Sequence, residues 1–321
     1  MANHGELVPL IREGAPPNVE LIGAFPPEEV PDKSGIDGCI GYWFPTEEEA
    51  PRLRWIHCPN AGFDDLPAHV LRSKQWTLTH GGGTGAVPIA EWTLASMLFF
   101  AHRFRTILQY ESERTWHKNR AVELSGSVLH GATAGIIGYG AIGRQVARLC
   151  KAFGMEVHAS LGSTGKTQRP TYRTEGTGDP DGILPDFWFG MEEFLDVLPR
   201  WDYVILYARV TSGNENLICA ESLRRFKRSA VLINASRGAL IDENALSAAL
   251  KEGLLGGAAL DVFKTEPLPA DDPLRDAPNL LLSPHCSPEG HWYQGEIRAS
   301  MKEGIRRFAA GEQLLNVVNG E

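Results

Sequence analysis

The stretch ATAGIIGYGAIGRQVARLCKAF, residues 132–153, decides the fold. A short apolar run at 134–137 feeds directly into Gly138, Tyr139, Gly140, Ala141, Ile142 and Gly143, a GxGxxG arrangement. Ile142, Val146, Leu149, Cys150 and Phe153 then mark one face of a helix. Strand, glycine turn and helix in that order form a dinucleotide-binding unit. The first glycine permits the turn, the second lets a pyrophosphate reach the backbone, and the third lets helix and strand pack closely. The phosphates are expected against the helix amino end, where free N–H groups and the dipole favour negative charge.

Downstream, short apolar runs alternate with helical segments: MEVHASL, WDYVILYA, AVLINAS, GAALDVF and NLLLSPH, with helices expected near 220–227 and over 242–252. That alternation implies βαβ units and a mostly parallel, doubly wound sheet, so the fold class is α/β with a Rossmann cofactor domain. The segment 162–190 is rich in Gly, Pro, Thr and Asp without periodicity and reads as a surface loop, the most mobile part of the chain. Upstream, VELIGAF (19–25), GCIGYW (38–43) and LRWIHC (53–58) read as strands, FDDLPAHVLRS (63–73) as a helix, and TLTHGGGTG ends in a glycine loop. Pro88 opens a long helix over 89–112, apolar on nearly every face for its first three turns, which suits a connector between domains.

Composition sets the limits around this reading. With 321 residues the chain has room for about two domains. Lys plus Arg is 31 against 40 Asp plus Glu, a formal charge of −9, which excludes a general binder of nucleic acid or of an anionic membrane. Five scattered cysteines form no CxxC pair and have no histidine partners at zinc spacing, so no metal is expected and a reducing, cytoplasmic compartment is favoured. The amino terminus lacks the pattern of a signal peptide, and the most apolar stretch, 92–101, is too short to cross a membrane.

An NAD site places an acid at the end of the second strand, about 20 residues on, to bind the adenosine 2′-hydroxyl. Here the strand ends at Leu161 and is followed by Gly162, Ser163, Thr164, Gly165 and Lys166. Hydroxyls from Ser163 and Thr164 and the charges of Lys166 and Arg169 suit a 2′-phosphate instead, so the sequence favours NADP(H) over NAD(H).

Four ordered segments name the chemistry: LHGATAGIIGYGAIGRQVA (129–147), LINASRGALIDENALSAAL (232–250), GAALDVFKTEPLP (257–269) and LLLSPHCSPE (280–289). Together they resemble the D-isomer-specific 2-hydroxyacid dehydrogenase family, over roughly 53–310 of the chain. The resemblance implies hydride transfer between NAD(P)H and a small 2-oxoacid, giving a D-2-hydroxyacid reversibly, in a homodimer. It implies two doubly wound domains, with the Rossmann domain (104–287) inserted into a flavodoxin-like substrate domain (1–103 and 288–321) whose amino-terminal unit, GELVPLIREG, is short enough that its first strand should be missing or vestigial.

The resemblance also assigns roles that the reaction itself requires. A planar guanidinium binds a carboxylate and polarises the adjacent carbonyl, the role implied for Arg237. An acid must protonate the oxygen that develops negative charge, the role of His285. A carboxylate beside an imidazole favours its protonated form and fixes the ring, the part implied for Glu266. Asp261 matches the position that holds the nicotinamide ring, and Ala208, Arg209, Ala235 and Ser236 follow strands beside the cofactor. The family has proline where Arg209 stands, so this arginine has phosphate, substrate acid or solvent open to it. PNAGFDDL (59–66) resembles the loop whose N–H groups meet the substrate carboxylate, which makes Ala61 and Gly62 substrate contacts. Two alternatives are weighed: a formate dehydrogenase-like enzyme, which pairs its histidine with glutamine, and a dinucleotide-sensing corepressor-like binding protein.

Overall fold

The computed structural model describes residues 9, 11–13, 15–22, 32–64, 66–162 and 165–318. The chain divides into two compact units. The first takes the described residues up to Gly85 together with Arg169–Gly176 and the residues from Glu289 onward. The second takes Ala86–Gln168 and Thr177–Pro288.

The first unit holds three parallel strands, β1 (Gly38–Ile40), β2 (Trp55–Cys58) and β3 (Thr77–His80), in that order. β2 is buried along its whole length, as the central strand of a parallel sheet must be when both faces are covered. Its side chains alternate: Ile56 packs with Leu53, Val70 and Leu78 on one face, whereas Trp55 turns to Met301 and Ile305 of the helix His291–Ala310 on the other. Phe308 of that helix stacks on Trp55 at 5.1 Å.

Two expectations change in this unit. Residues 19–22 form no strand: the side chains of Val19 and Leu21 pack in the Trp55–Ile305 cluster, but among the described residues no strand pairs with their backbone. The remainder of that run, 23–25, and most of GELVPLIREG lie outside the described residues. The helix expected over 63–73 is confined to Ala68–Arg72, starting after Pro67.

The second unit is a seven-stranded sheet of β4 (Thr133–Ile137), β5 (Glu156–Ser160), β6 (Phe187–Phe189), β7 (Tyr203–Leu206), β8 (Val231–Asn234), β9 (Gly257–Leu260) and β10 (Leu280–Leu282). The order is β10-β9-β8-β7-β4-β5-β6 and every pairing is parallel. The chain therefore winds outward from β4 to β6, returns, and winds outward again from β7, which places the switch point between β4 and β7. Each face is closed by its own apolar cluster, one built on Val204, Leu206 and Leu232, the other on Ile136, Ile205 and Ile233. Gly135 is required here: a Cβ on it would lie 2.0 Å from the buried Trp201 ring.

β6 corrects the loop expected over 162–190. The aromatic run Phe187–Phe189 pairs with β5 at the sheet edge, but three residues are too few to show a period. The long helix is also corrected. It is two helices, Ala86–Ala101 and Phe104–Ser112, separated where Arg103 takes a left-handed φ of 56°. The first of these packs against the helix of the glycine turn and belongs to the second unit.

His57 on β2 is buried, and desolvation, reinforced by nearby His80, lowers its pKa from 6.5 to about 4. The folded state thus binds this proton more weakly than the unfolded chain. Stability is fully present above pH ~6.5 and falls as pH drops toward 4, by about 3 kcal/mol in total. Thermal denaturation between pH 7 and pH 4 should show this loss, and His57→Asn should flatten the slope.

Candidate active site

The glycine turn sits at the carboxyl end of β4, beside the switch point. Gly138 has a φ of 99°, and a Cβ there would fall 2.3 Å from the backbone nitrogen of Ala208. Gly143 approaches as closely from the helix Ala141–Ala152: its Cβ would lie 2.3 Å from the Gly138 carbonyl oxygen. Gly140, which caps the helix, differs from both, because nothing lies within 4 Å of where its Cβ would stand. Two glycines are therefore required by packing, and the third borders open space at the helix amino end, where a pyrophosphate fits. Tyr139 is nearly buried, Gly143 is buried, and Ala141 and Ile142 are half-buried in the first helical turn.

At the end of β5, Ser160 is buried and its hydroxyl oxygen accepts from the Gly138 N–H at 2.9 Å. No acid follows this strand before Lys166. Ser163 and Thr164 lie outside the described residues. Lys166 is exposed at its side chain, with Nζ 5.7 Å from the centroid of the Trp188 ring. Arg169 is exposed and belongs to the first unit, whereas the glycine turn belongs to the second.

The other groups are placed by register. Ile137, Leu206, Asn234, Leu260 and Leu282 are paired level across β4, β7, β8, β9 and β10. The residues that follow them, Gly138, Tyr207, Ala235, Asp261 and Ser283, thus form one row along the carboxyl edge, at about 4.8 Å per strand. Ala208 and the exposed Arg209 extend from β7, and the Arg209 carbonyl accepts from the Asn214 amide at 2.7 Å.

After β8, the fully buried Asn234 organises the turn that carries Arg237. Its Oδ1 accepts from the Ser236 N–H (3.0 Å) and hydroxyl (2.8 Å), and its Nδ2 donates to the Arg237 carbonyl at 2.9 Å. Ala235 is buried, while Ser236 and Arg237 are half-buried. One guanidinium nitrogen of Arg237 donates to the Ser236 carbonyl at 2.7 Å. Gly238 permits the close approach of this turn to the segment after β9, since its Cβ would lie 2.0 Å from the Phe263 carbonyl carbon.

Asp261 is fully buried and bonds to the loop after β10. Its Oδ1 accepts from the Ser283 hydroxyl (2.5 Å) and the Cys286 N–H (2.9 Å), and its Oδ2 from the Ser287 N–H (3.0 Å). The His285 N–H donates to the Asp261 carbonyl at 2.8 Å. Held this way, His285 adopts a left-handed φ of 51°, a conformation uncommon for a non-glycine residue. Its Nδ1 lies 2.7 Å from Glu266 Oε2, and Glu266 Oε1 accepts from the Phe263 N–H at 2.9 Å. A carboxylate only accepts, so the proton on this imidazole face sits on Nδ1 and Nε2 remains available to a ligand.

The structure therefore brings His285 and Glu266 into direct contact and places Arg237 on the adjoining turn. In the first unit, Ala61 and Gly62 are half-buried, and the Ala61 carbonyl lies 2.8 Å from His80 Nδ1. Sequence reading missed the groups behind these residues. Asn234 could have been found as the one amide closing the apolar run VLIN, since a polar side chain there needs local partners.

A family model described as D-isomer specific 2-hydroxyacid dehydrogenase, NAD binding domain, matches residues 94–287. Among curated proteins, a glyoxylate reductase of Korarchaeum cryptofilum is 32% identical over 275 residues, covering 85% of this chain and 78% of that protein. Glyoxylate/hydroxypyruvate reductase B of Pectobacterium carotovorum is 30% identical over 306 residues, covering 94% and 91%. Among solved structures, an NADPH-dependent glyoxylate/hydroxypyruvate reductase of Sinorhizobium meliloti, in complex with NADP and sulfate, aligns with a TM-score of 0.73 at 25% identity, covering 98% of this chain and 95% of that one.

The two kinds of glycine should separate experimentally. Gly138→Ala places a methyl group against backbone at a positive φ and should cost about 2–4 kcal/mol of stability. Gly140→Ala should leave the melting temperature within ~2 °C while weakening NADPH and NADH binding at least roughly tenfold in fluorescence titrations. Equal destabilisation by both would refute the assigned spaces.

Proposed function

The chain belongs to the D-isomer specific 2-hydroxyacid dehydrogenase family, and from that premise we propose how its own residues carry the reaction. The protein is an NAD(P)-dependent oxidoreductase acting between small 2-oxoacids and D-2-hydroxyacids. Glyoxylate and hydroxypyruvate are the first substrates to test, on the names of its relatives. The observation that carries the residue assignment is the His285–Glu266 contact at 2.7 Å on the carboxyl side of the sheet.

The 138–143 turn holds the dinucleotide phosphates over Gly140. A nicotinamide dinucleotide bound there supplies hydride to C2 of the oxoacid. Arg237 binds the substrate carboxylate through its planar fork and draws electron density from the neighbouring carbonyl. His285 gives its Nε2 proton to the substrate oxygen as charge develops there, and in the reverse direction the neutral ring takes that proton back. Glu266 accepts from Nδ1 and keeps the ring from turning. Asp261 acts from behind, holding the loop that gives His285 its backbone shape. The unit with the seven-stranded sheet is the cofactor domain. The other unit is the substrate domain, in which Ala61 and Gly62 offer backbone N–H groups to the carboxylate.

NADP(H) is the preferred cofactor in this reading, because β5 ends without an acid and Lys166 follows it. The protein is cytoplasmic, in keeping with its free cysteines. Among the described residues no helix is long and apolar enough to cross a membrane. A second copy of the chain covers the exposed Phe104, Leu108, Trp116 and Val122, side chains that burial in a homodimer would stabilise. Neither alternative is favoured: Glu266 stands where a formate dehydrogenase-like enzyme has glutamine, and the relatives above are named as reductases rather than as binding proteins.

Purified protein should oxidise NADPH faster than NADH with glyoxylate or hydroxypyruvate; failure across a broad 2-oxoacid panel would reject the reading. His285→Ala should lower kcat at least ~10³-fold with NADPH still bound. Arg237→Lys should lower kcat/KM by about 10²-fold, because the point charge loses the fork. For assembly, Leu108→Glu should shift a sedimenting dimer to monomer.

A further inference from the structure

The 162–190 insert is not a free loop where it meets the glycine turn. Asp179, in the middle of the insert, is 3% exposed. Its Oδ2 accepts from the Tyr139 hydroxyl at 2.7 Å and from the Leu184 N–H at 3.1 Å, and its Oδ1 accepts from the Ile183 N–H at 3.0 Å. Tyr139 is the residue between the first two glycines of the turn. Arg144, one residue past the third glycine and 2% exposed, donates to the Asp179 carbonyl (2.5 Å) and to the Lys166 carbonyl (2.8 Å), and its guanidinium lies 4.6 Å from the centroid of the Tyr139 ring. The next two polar residues of the helix join in. Gln145 accepts from the Gly178 N–H at 2.7 Å, and Arg148 donates to the Gly178 carbonyl at 2.9 Å. Gln168 closes the base of the insert by donating to the Pro180 carbonyl at 3.0 Å.

A buried carboxylate and a buried guanidinium are expensive to desolvate, so their joint use on one short segment has to be offset by the order they impose. What they order is the backbone of a ligand-binding turn. The N–H groups around Tyr139 bind phosphate only in one conformation, and a turn already held in that conformation loses less entropy on binding.

We propose that Asp179 is a positioning residue for the dinucleotide: through the Tyr139 hydroxyl and the Arg144 network it fixes the glycine turn and the insert to each other, so that the ligand-free turn already has its binding shape. The inference rests on the dinucleotide-binding reading of the 138–143 turn and is independent of the 2-oxoacid chemistry. Because coupling is reciprocal, a bound dinucleotide must in turn stabilise the insert.

Tyr139→Phe removes one hydroxyl and keeps the ring contacts with Arg144 and Trp188. Asp179→Asn keeps the shape, but an amide has one acceptor oxygen where the carboxylate uses two, so a buried N–H is left facing a donor. With circular dichroism confirming that each variant is folded at the assay temperature, each should raise the Kd for NADPH and for NADH about tenfold. The double variant should also lose about tenfold rather than a hundredfold, because both changes act on the same Tyr139–Asp179 link between the turn and the insert. In the wild-type protein, NADPH should slow hydrogen exchange at the Gly178, Ile183 and Leu184 amides, a readout that a purely structural Asp179 would leave unmoved. Wild-type Kd in folded Tyr139→Phe, or exchange at those amides indifferent to NADPH, would overturn the proposal. Wild-type protein that binds neither dinucleotide would overturn the underlying reading and this proposal with it, whereas binding without 2-oxoacid reduction would leave the proposal standing.

Discussion

The chemistry of this protein hangs on a register. Because Ile137, Leu206, Asn234, Leu260 and Leu282 are paired level across five neighbouring parallel strands, the residues that follow them leave the sheet along a single edge. A parallel ladder buried on both faces tolerates no slip, since a shift of one residue would exchange the side chains fitted to the two apolar clusters. The turn of Arg237, the buried Asp261 and the loop of His285 inherit their positions from that constraint. The residues immediately behind them then fix orientation: Asn234 ties down one turn, and Asp261 ties down the other.

This division between placing and orienting explains what was legible in the sequence. The glycine turn could be read because each glycine answers to a local demand, visible as spacing: Gly138 to its positive φ, Gly143 to helix–strand contact, Gly140 to open space. The parallel, doubly wound character of the sheet followed from the alternation of apolar runs. His285 and Glu266 could be paired only through the family resemblance, because nothing in the composition of either segment says that two side chains 19 positions apart will meet at 2.7 Å. Asp179 and Arg144 were invisible for a stronger version of the same reason. The segment of Asp179 has no period, Arg144 lies on a helix whose period marks only its apolar face, and the partners of both depend on where the insert returns. The break at Arg103 and the short aromatic strand β6 were missed because each is decided by tertiary packing over a few residues, below the length at which a pattern forms.

The insert also alters how charge around the cofactor turn should be counted. Sequence alone offers several cations near an anionic ligand. In the structure the guanidinium of Arg144 is already committed to two backbone carbonyls, and that of Arg148 to a third. These arginines serve as struts. Attraction for phosphate at the turn is left to its N–H groups and the helix end, with Lys166 exposed nearby.

The bond between Tyr139 and Asp179 spans 40 positions of the chain, and the strand that carries the turn lies between β5 and β7, both of which come later in the sequence. Neither the turn nor its strand can be completed by contacts that form early. A chain made from its amino end must synthesise residue 179 before the turn is tied, and residue 206 before β4 is flanked on both sides. The ligand-binding turn is thus among the later local structures to settle, and a nascent chain passes through a stage in which the glycines are present and their shape is not.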